Sequence, residues 1–124
     1  MLIDDELVDH MQLDRLVARS GLVGKVLHFR LAEEALAFLQ GPDRVEIDLL
    51  LLDMNMPRMT GLEFLTAAYA AMGPAFVRRC AVMLTTPLTL QNQARAEGFA
   101  VVKGFIRKPL TAEDLIAISH DSPI

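Results

Sequence analysis

The sequence predicts an α/β domain, a doubly wound parallel sheet with helices on both faces, and three observations carry that prediction. The stretch Ile47-Asp48-Leu49-Leu50-Leu51-Leu52-Asp53 holds four consecutive leucines without polar alternation, the habit of a central parallel strand buried on both faces. Apolar runs of this kind alternate along the chain with apolar stripes at helical spacing, which calls for right-handed crossovers around one sheet. Polar residues stand at the carboxyl ends of several of those runs, the edge at which open parallel sheets gather ligands.

Taken in order, Met1-Leu2-Ile3 reads as a short first strand followed by Asp4-Asp5-Glu6. Acids there complement the macrodipole of a helix from about Leu7 to Arg19. In that helix Leu13, Leu16 and Val17 share a face opposite Gln12, Arg15 and Arg19, and Ser20-Gly21 ends it. Lys25 to Arg30 reads as a second strand near one edge, because polar residues interrupt its Leu27 and Phe29. Ala32, Ala35, Leu36 and Leu39 form a helical stripe closed by Gly41-Pro42. The leucine strand stops at Asp53, and Pro57 and Gly61 turn the chain into a helix from Gly61 to Met72, with Leu62, Leu65, Tyr69 and Met72 inward.

Ala81-Val82-Met83-Leu84 reads as a fourth strand ending at Thr85-Thr86-Pro87, after a solvated Arg78-Arg79 loop pair and a buried Cys80. A short helix begins near Thr89 and ends near Gly98. Val101 to Ile106 gives a fifth strand closing at Arg107-Lys108-Pro109. Thr111-Ala112-Glu113-Asp114 resembles a capping box that opens a last helix through about Ser119, and the tail Asp121-Ser122-Pro123-Ile124 should fray.

With 124 residues, 52% of them apolar, the chain suits one domain over residues 1–124 with no effector domain. No run approaches the roughly 20 apolar residues of a membrane span, and acids follow Met1-Leu2-Ile3 at once, so no secretory pattern is present. A cytoplasmic location and no membrane partner are expected. The single cysteine excludes an internal disulfide, and a net charge of −4 without a basic run argues against direct nucleic-acid binding. His10, His28 and His120 lack ligand spacing and read as surface or edge residues, with His10 the one near the acidic loop.

Asp4 and Asp5, Asp53, Thr85 and Lys108 all fall at carboxyl ends of strands and can converge on one cleft. Three carboxylates about 5 Å apart repel by roughly 3 kcal/mol per pair at an effective dielectric near 20. Such a group protonates or takes up a cation, and oxygen ligands suit Mg²⁺. A carboxylate nucleophile, a divalent ion, an ammonium and a hydroxyl together suit transfer of a phosphoryl group to Asp53.

On Asp4-Asp5, on Asp53-Met54-Asn55-Met56-Pro57 with Gly61, on Thr85 and on Lys108-Pro109, the sequence resembles the receiver domains of two-component response regulators, of the CheY-like, free-standing type. The likeness covers essentially the whole chain. It implies a flavodoxin-like five-stranded sheet of order 2-1-3-4-5. It implies that Asp53 receives a phosphoryl group from a sensor histidine kinase or a histidine phosphotransfer protein. Asp5 and Asp53 would ligate Mg²⁺ directly, Asn55 through its backbone carbonyl and Asp4 through water, while Lys108 pairs with the phosphoryl group. It also implies a switch in which Thr85 moves toward the new anion and Phe105 turns inward. That motion remodels the face of the fourth helix, fifth strand and fifth helix for a downstream protein.

Such a protein is a signalling receiver and not an enzyme in the ordinary sense: it catalyses only its own phosphoryl transfer and dephosphorylation. A monomer or weak homodimer is expected. Thr86 stands where the family prefers a smaller residue, and Pro87 follows; together with Asn55 these positions tune hydrolysis of the acyl phosphate. Gly98 lies three residues further from Lys108 than in most receivers. Three other readings are a phosphorelay intermediate passing the group to another histidine, a binding module independent of phosphorylation, and a dehalogenase-type phosphatase. The last normally carries a second acid where this chain has Asn55.

Overall fold

The computed structural model describes residues 1–21 and 24–119. His120 and the tail from Asp121 to Ile124 lie outside the described residues. Five strands and five helices alternate: β1 (Leu2–Ile3), α1 (Leu7–Ser20), β2 (His28–Phe29), α2 (Ala32–Gln40), β3 (Leu49–Asp53), α3 (Gly61–Met72), β4 (Arg79–Leu84), α4 (Leu90–Glu97), β5 (Val102–Arg107) and α5 (Ala112–Ser119). All pairings are parallel, in the order β2-β1-β3-β4-β5. The flavodoxin-like topology expected from the sequence is the one observed.

The leucine run is explained by the two cores it serves. Leu50 and Leu52 face one side with Ile3 and Val82, under Ala35 and Leu39 of α2 and Phe64 and Leu65 of α3. Leu51 faces the other side with Leu2, Ala81 and Ile106, under Leu13 of α1 and Leu115 and Ile118 of α5. Strand residues alternate faces, so a strand covered on both sides must be apolar at every position. Each buried leucine contributes about 1.5–3 kcal/mol relative to exposure.

The termini of α1 and α3 follow their sequences. Gly21 closes α1 in the left-handed region at φ 65°, a conformation that costs glycine no Cβ clash. Thr60 and Glu63 form a reciprocal capping box at the start of α3, with bonds of 3.2 and 3.0 Å, and Thr111 and Asp114 do the same before α5 at 3.1 Å each way.

Four readings need correction. The second strand is only His28–Phe29 and not Lys25 to Arg30, since its one sheet neighbour, β1, is itself two residues long. β3 starts at Leu49, leaving Ile47 as buried loop. β4 starts two residues earlier than its apolar run, so Arg79 is a strand residue, half-buried and donating to the Ile118 carbonyl, and not a solvated loop residue. His10 is buried at 5% exposure, because α1 presents it to the end of β1, as described below. In the β4–β5 ladder, Cys80 pairs with Val102 and Ala81 with Gly104, so Lys103 is the extra residue of a bulge. Cys80 is fully buried, and burial pushes its thiol well above the ordinary range, so it packs as a small apolar side chain.

Candidate functional site

Asp4 ends β1, where its N–H donates to the Phe29 carbonyl at 3.0 Å and its Oδ1 accepts from the Glu6 N–H at 2.9 Å. Asp53 ends β3. Beyond it the chain stays on the sheet for one more bond, Met54 N–H to the Met83 carbonyl at 3.1 Å, and then folds back so that the Gly61 N–H reaches the Met54 carbonyl at 2.9 Å. The α3 N-terminus thereby abuts the acidic strand end. A Cβ at Gly61 would lie 2.8 Å from the Asp53 carbonyl oxygen and 3.0 Å from Met54 Cα, so only glycine fits this approach. Lys108 follows β5, anchored by its N–H to the Leu84 carbonyl at 2.7 Å, ahead of a cis Lys108–Pro109 peptide.

These strand ends do meet. Asp4, Asp5 and Asp53 each place a carboxylate oxygen within 4.8 Å of the others. Lys108 Nζ is 2.8 Å from Asp4 Oδ2 and 3.2 Å from Asp53 Oδ1. Asp4 is fully buried and Asp53 nearly so, while Asp5 is half-buried, with its carbonyl accepting from the Arg30 guanidinium. Asn55 is exposed; its N–H donates to Asp53 Oδ1 at 3.4 Å.

The electrostatics are those of a crowded acid site. Burial raises Asp4 to about 7, against the pull of Lys108. Burial likewise raises Asp53 to about 6, with Lys108 again opposing. Burial alone would lower the Lys108 ammonium, but the Asp4 and Asp9 carboxylates outweigh it and hold it above the ordinary lysine range. Lys108 is thus a fixed cation near neutral pH. The two buried acids retain one negative charge more readily than two.

The donor set fits a hard divalent cation. Asp4 Oδ2 is buried and, although close to Lys108, makes no directional hydrogen bond. Oxygen ligands that repel one another and lack full satisfaction favour such an ion.

The other expected residues lie on the strands and loops that flank these strand ends. Thr85 caps the carboxyl end of β4 but is exposed, and its hydroxyl makes no hydrogen bond among the described residues. Thr86 and Pro87 are exposed beside it. Phe105 is half-buried on β5, packed against the larger core. Met54 and Met56 lie beneath the loop in that same core.

The contact of Asp9 is not visible in the sequence, and His10, expected near the acidic loop, proves to be buried against it and linked onward to His28 and Asp14. Asp9, in the first turn of α1, accepts a 2.8 Å hydrogen bond from Lys108 Nζ. His10 Nε2 lies 2.7 Å from the Asp4 carbonyl, its Nδ1 lies 2.7 Å from His28 Nδ1, and His28 Nε2 reaches Asp14 Oδ1 at 2.8 Å. Burial pulls the His10 imidazole below its ordinary pKa, partly offset by the Asp4 carbonyl. The only available signal was the amphipathic register of α1, which sets Asp9 and His10 one turn beyond the acidic loop; the partner Lys108 is 99 positions away.

Comparison with known proteins gives the family and the fold. The response regulator receiver domain family matches residues 1–120. No curated protein matches the chain. Among solved structures, a two-component response regulator from Cytophaga hutchinsonii superposes with a TM-score of 0.81 at 22% identity, over 97% of this chain and 92% of its own. One from Legionella pneumophila gives 0.80 at 23%, over 97% and 95%. The chemotaxis protein CheY4 of Vibrio cholerae gives 0.78 at 22%, over 97% and 93%. At these identities the structural likeness speaks for the fold, and the family match over nearly the whole length carries the assignment: the chain belongs to the response regulator receiver domain family of two-component signalling.

Proposed function

We propose that this receiver is a phosphoacceptor: Asp53 takes a phosphoryl group from a phosphohistidine of a sensor kinase or phosphotransfer protein. The carrying observation is the trio of carboxylates within 4.8 Å beside an ammonium that contacts both Asp4 and Asp53. A carboxylate oxygen of Asp53 attacks phosphorus, the P–O bond forms as the P–N bond breaks, and the imidazole departs as leaving group. Lys108 supplies a preorganised positive charge to the transferring oxygens, in a site where burial strengthens it. Thr85 stands at the adjacent strand end, ready to donate a hydroxyl to the new anion. Asp5, Asp53 and the Asn55 carbonyl would hold Mg²⁺ directly, with Asp4 acting through water; the ion would neutralise negative charge on the phosphoryl oxygens.

The phosphoryl group then biases a two-state element, with Thr85 and Phe105 moving together and the α4-β5-α5 face remodelled for a downstream protein. Thr86 and Pro87 slow loss of the group by positioning water poorly, with Asn55 as the third tuning position. Decay of the phosphorylated protein should therefore be slower in wild type than in Thr86→Ala and Pro87→Glu.

Labelling by acetyl phosphate tests the central claim. Incorporation should require Mg²⁺ and disappear in Asp53→Asn; incorporation that survives that substitution refutes Asp53 as acceptor.

A further inference from the structure

Lys108 has three ammonium protons and three carboxylate neighbours. Asp4 Oδ2 and Asp9 Oδ2 are each at 2.8 Å, and Asp53 Oδ1 is the most distant at 3.2 Å. The well-formed hydrogen bond goes to Asp9, which stands outside the acidic trio on α1. The lysine side chain is 10% exposed and Asp9 17%, so neither is free to turn to water at no cost. Asp9 also lies in the first turn of α1, where the helix dipole favours a negative side chain. Lys108 is therefore not the only stabilising neighbour of Asp9, which keeps contact with solvent, whereas Asp4 at full burial depends on that ammonium.

We propose that Asp9 is a positioning residue that holds Lys108 back from Asp53 and competes with the phosphoryl group for the same ammonium. The idea rests on Asp53 being the phosphoacceptor. Lys108 Nζ stands closer to Asp4 and Asp9, at 2.8 Å each, than to Asp53 at 3.2 Å, so drawing it fully onto a phosphoryl group on Asp53 stretches one of the two shorter contacts. Asp9 has the less buried position and the helix dipole, so it is the partner that Lys108 gives up. Until then Asp9 both occupies the cation and adds a negative charge beside the ammonium that an anionic donor must reach. Asp9 thus sets a threshold: weak donors label the protein poorly, while a docked phosphohistidine supplies binding energy enough to draw Lys108 across.

The test is initial labelling rate against acetyl phosphate concentration at saturating Mg²⁺, for wild type, Asp9→Asn, Asp9→Ser and Asp9→Glu. Asp9→Asn and Asp9→Ser should lower the donor concentration for half-maximal rate by about tenfold, the factor that one charge-assisted hydrogen bond carries. The maximal rate should change far less, and Asp9→Glu should restore wild-type behaviour. Slower labelling in both neutral variants would show that Asp9 holds Lys108 in its productive place, and unchanged labelling that it does neither; each overturns the proposal. Asp9→Ser keeps the test open should Asp9→Asn fold poorly. Failure of the phosphoacceptor reading looks different: wild type and every Asp9 variant would then carry no label on Asp53.

Discussion

Replacing Asp53 by Asn should stabilise the cation-free protein, although it removes one partner of a buried ion pair. Deleting one member of such a pair ordinarily strands the other. Here Lys108 keeps Asp4 and Asp9, both at 2.8 Å. Asp53 is held at about 6, against an ordinary 3.8, and that position already includes the attraction of Lys108. Ionising it above pH 7 therefore costs the fold about 2–3 kcal/mol at roughly 1.36 kcal/mol per pH unit. Its charge also pushes Asp4 upward, so neutralising it relieves both acids.

The sign follows from linkage. Below about 3 the carboxyl is protonated in folded and unfolded chains alike, and no penalty exists. As pH rises from about 4 to about 6 the unfolded chain ionises first, and native stability is lost; above about 6 the penalty is complete. Denaturation followed by circular dichroism in EDTA should show Asp53→Asn more stable than wild type at pH 8, with the melting midpoint up by roughly 10 °C. The gain should shrink to a small fraction of this at pH 4 and vanish below about pH 3. Equal stability at pH 8, or a gain of the same size at both pH values, would refute the account of a strained acid site.

Further outcomes follow from the same geometry. Mg²⁺ affinity, measured by calorimetry in buffers of different ionisation heat, should rise with pH through about 6 to about 7 and then level off, because a proton on Asp53 or Asp4 competes with the cation. Protons should be released on binding within that window and not above it. Gly61→Ala should cost about 1–3 kcal/mol by overpacking, because its Cβ would meet the Asp53 carbonyl at 2.8 Å; denaturation of the variant measures this, and labelling of Asp53 should fall with it. Thr60→Ala should lose about 1 kcal/mol in the same denaturation assay by removing the α3 capping box, with the Asp53 chemistry retained.

What could be read in the sequence was whatever one segment decides by itself. The leucine run needed no partner to be a doubly buried strand, and α3 was bounded correctly by Gly61 and Met72. Asp4, Asp5, Asp53 and Lys108 could be gathered because parallel topology sends every strand end to one rim. Features fixed by a second element were harder. Arg79 joins β4 because its backbone pairs with Leu49 of β3, while its side chain reaches an α5 carbonyl, and no local pattern announces either. His10 looks like a helix-surface residue until β1 and β2 bring it the Asp4 carbonyl and His28. Thr85 falls at the expected strand end, yet it stands exposed there and its hydroxyl makes no hydrogen bond among the described residues. The Thr60–Glu63 box, by contrast, is a local pattern, Thr-x-x-Glu, that one segment decides by itself.

The two flanks of the sheet are finished differently, and this bears on how copies of the chain behave toward one another. A bare lateral strand offers unpaired backbone groups to any neighbouring polypeptide. On one flank, β2 exposes only two residues, and His28 is laced to α1 through His10 and Asp14, leaving little backbone to template an added strand. The other flank is six residues long and needs another safeguard. Lys103 interrupts its ladder as the bulged residue, and Lys103 and Arg107 are both exposed along it. Brevity guards one border and irregularity with cationic side chains guards the other, so crowded copies meet obstacles to sheet-to-sheet growth on both sides.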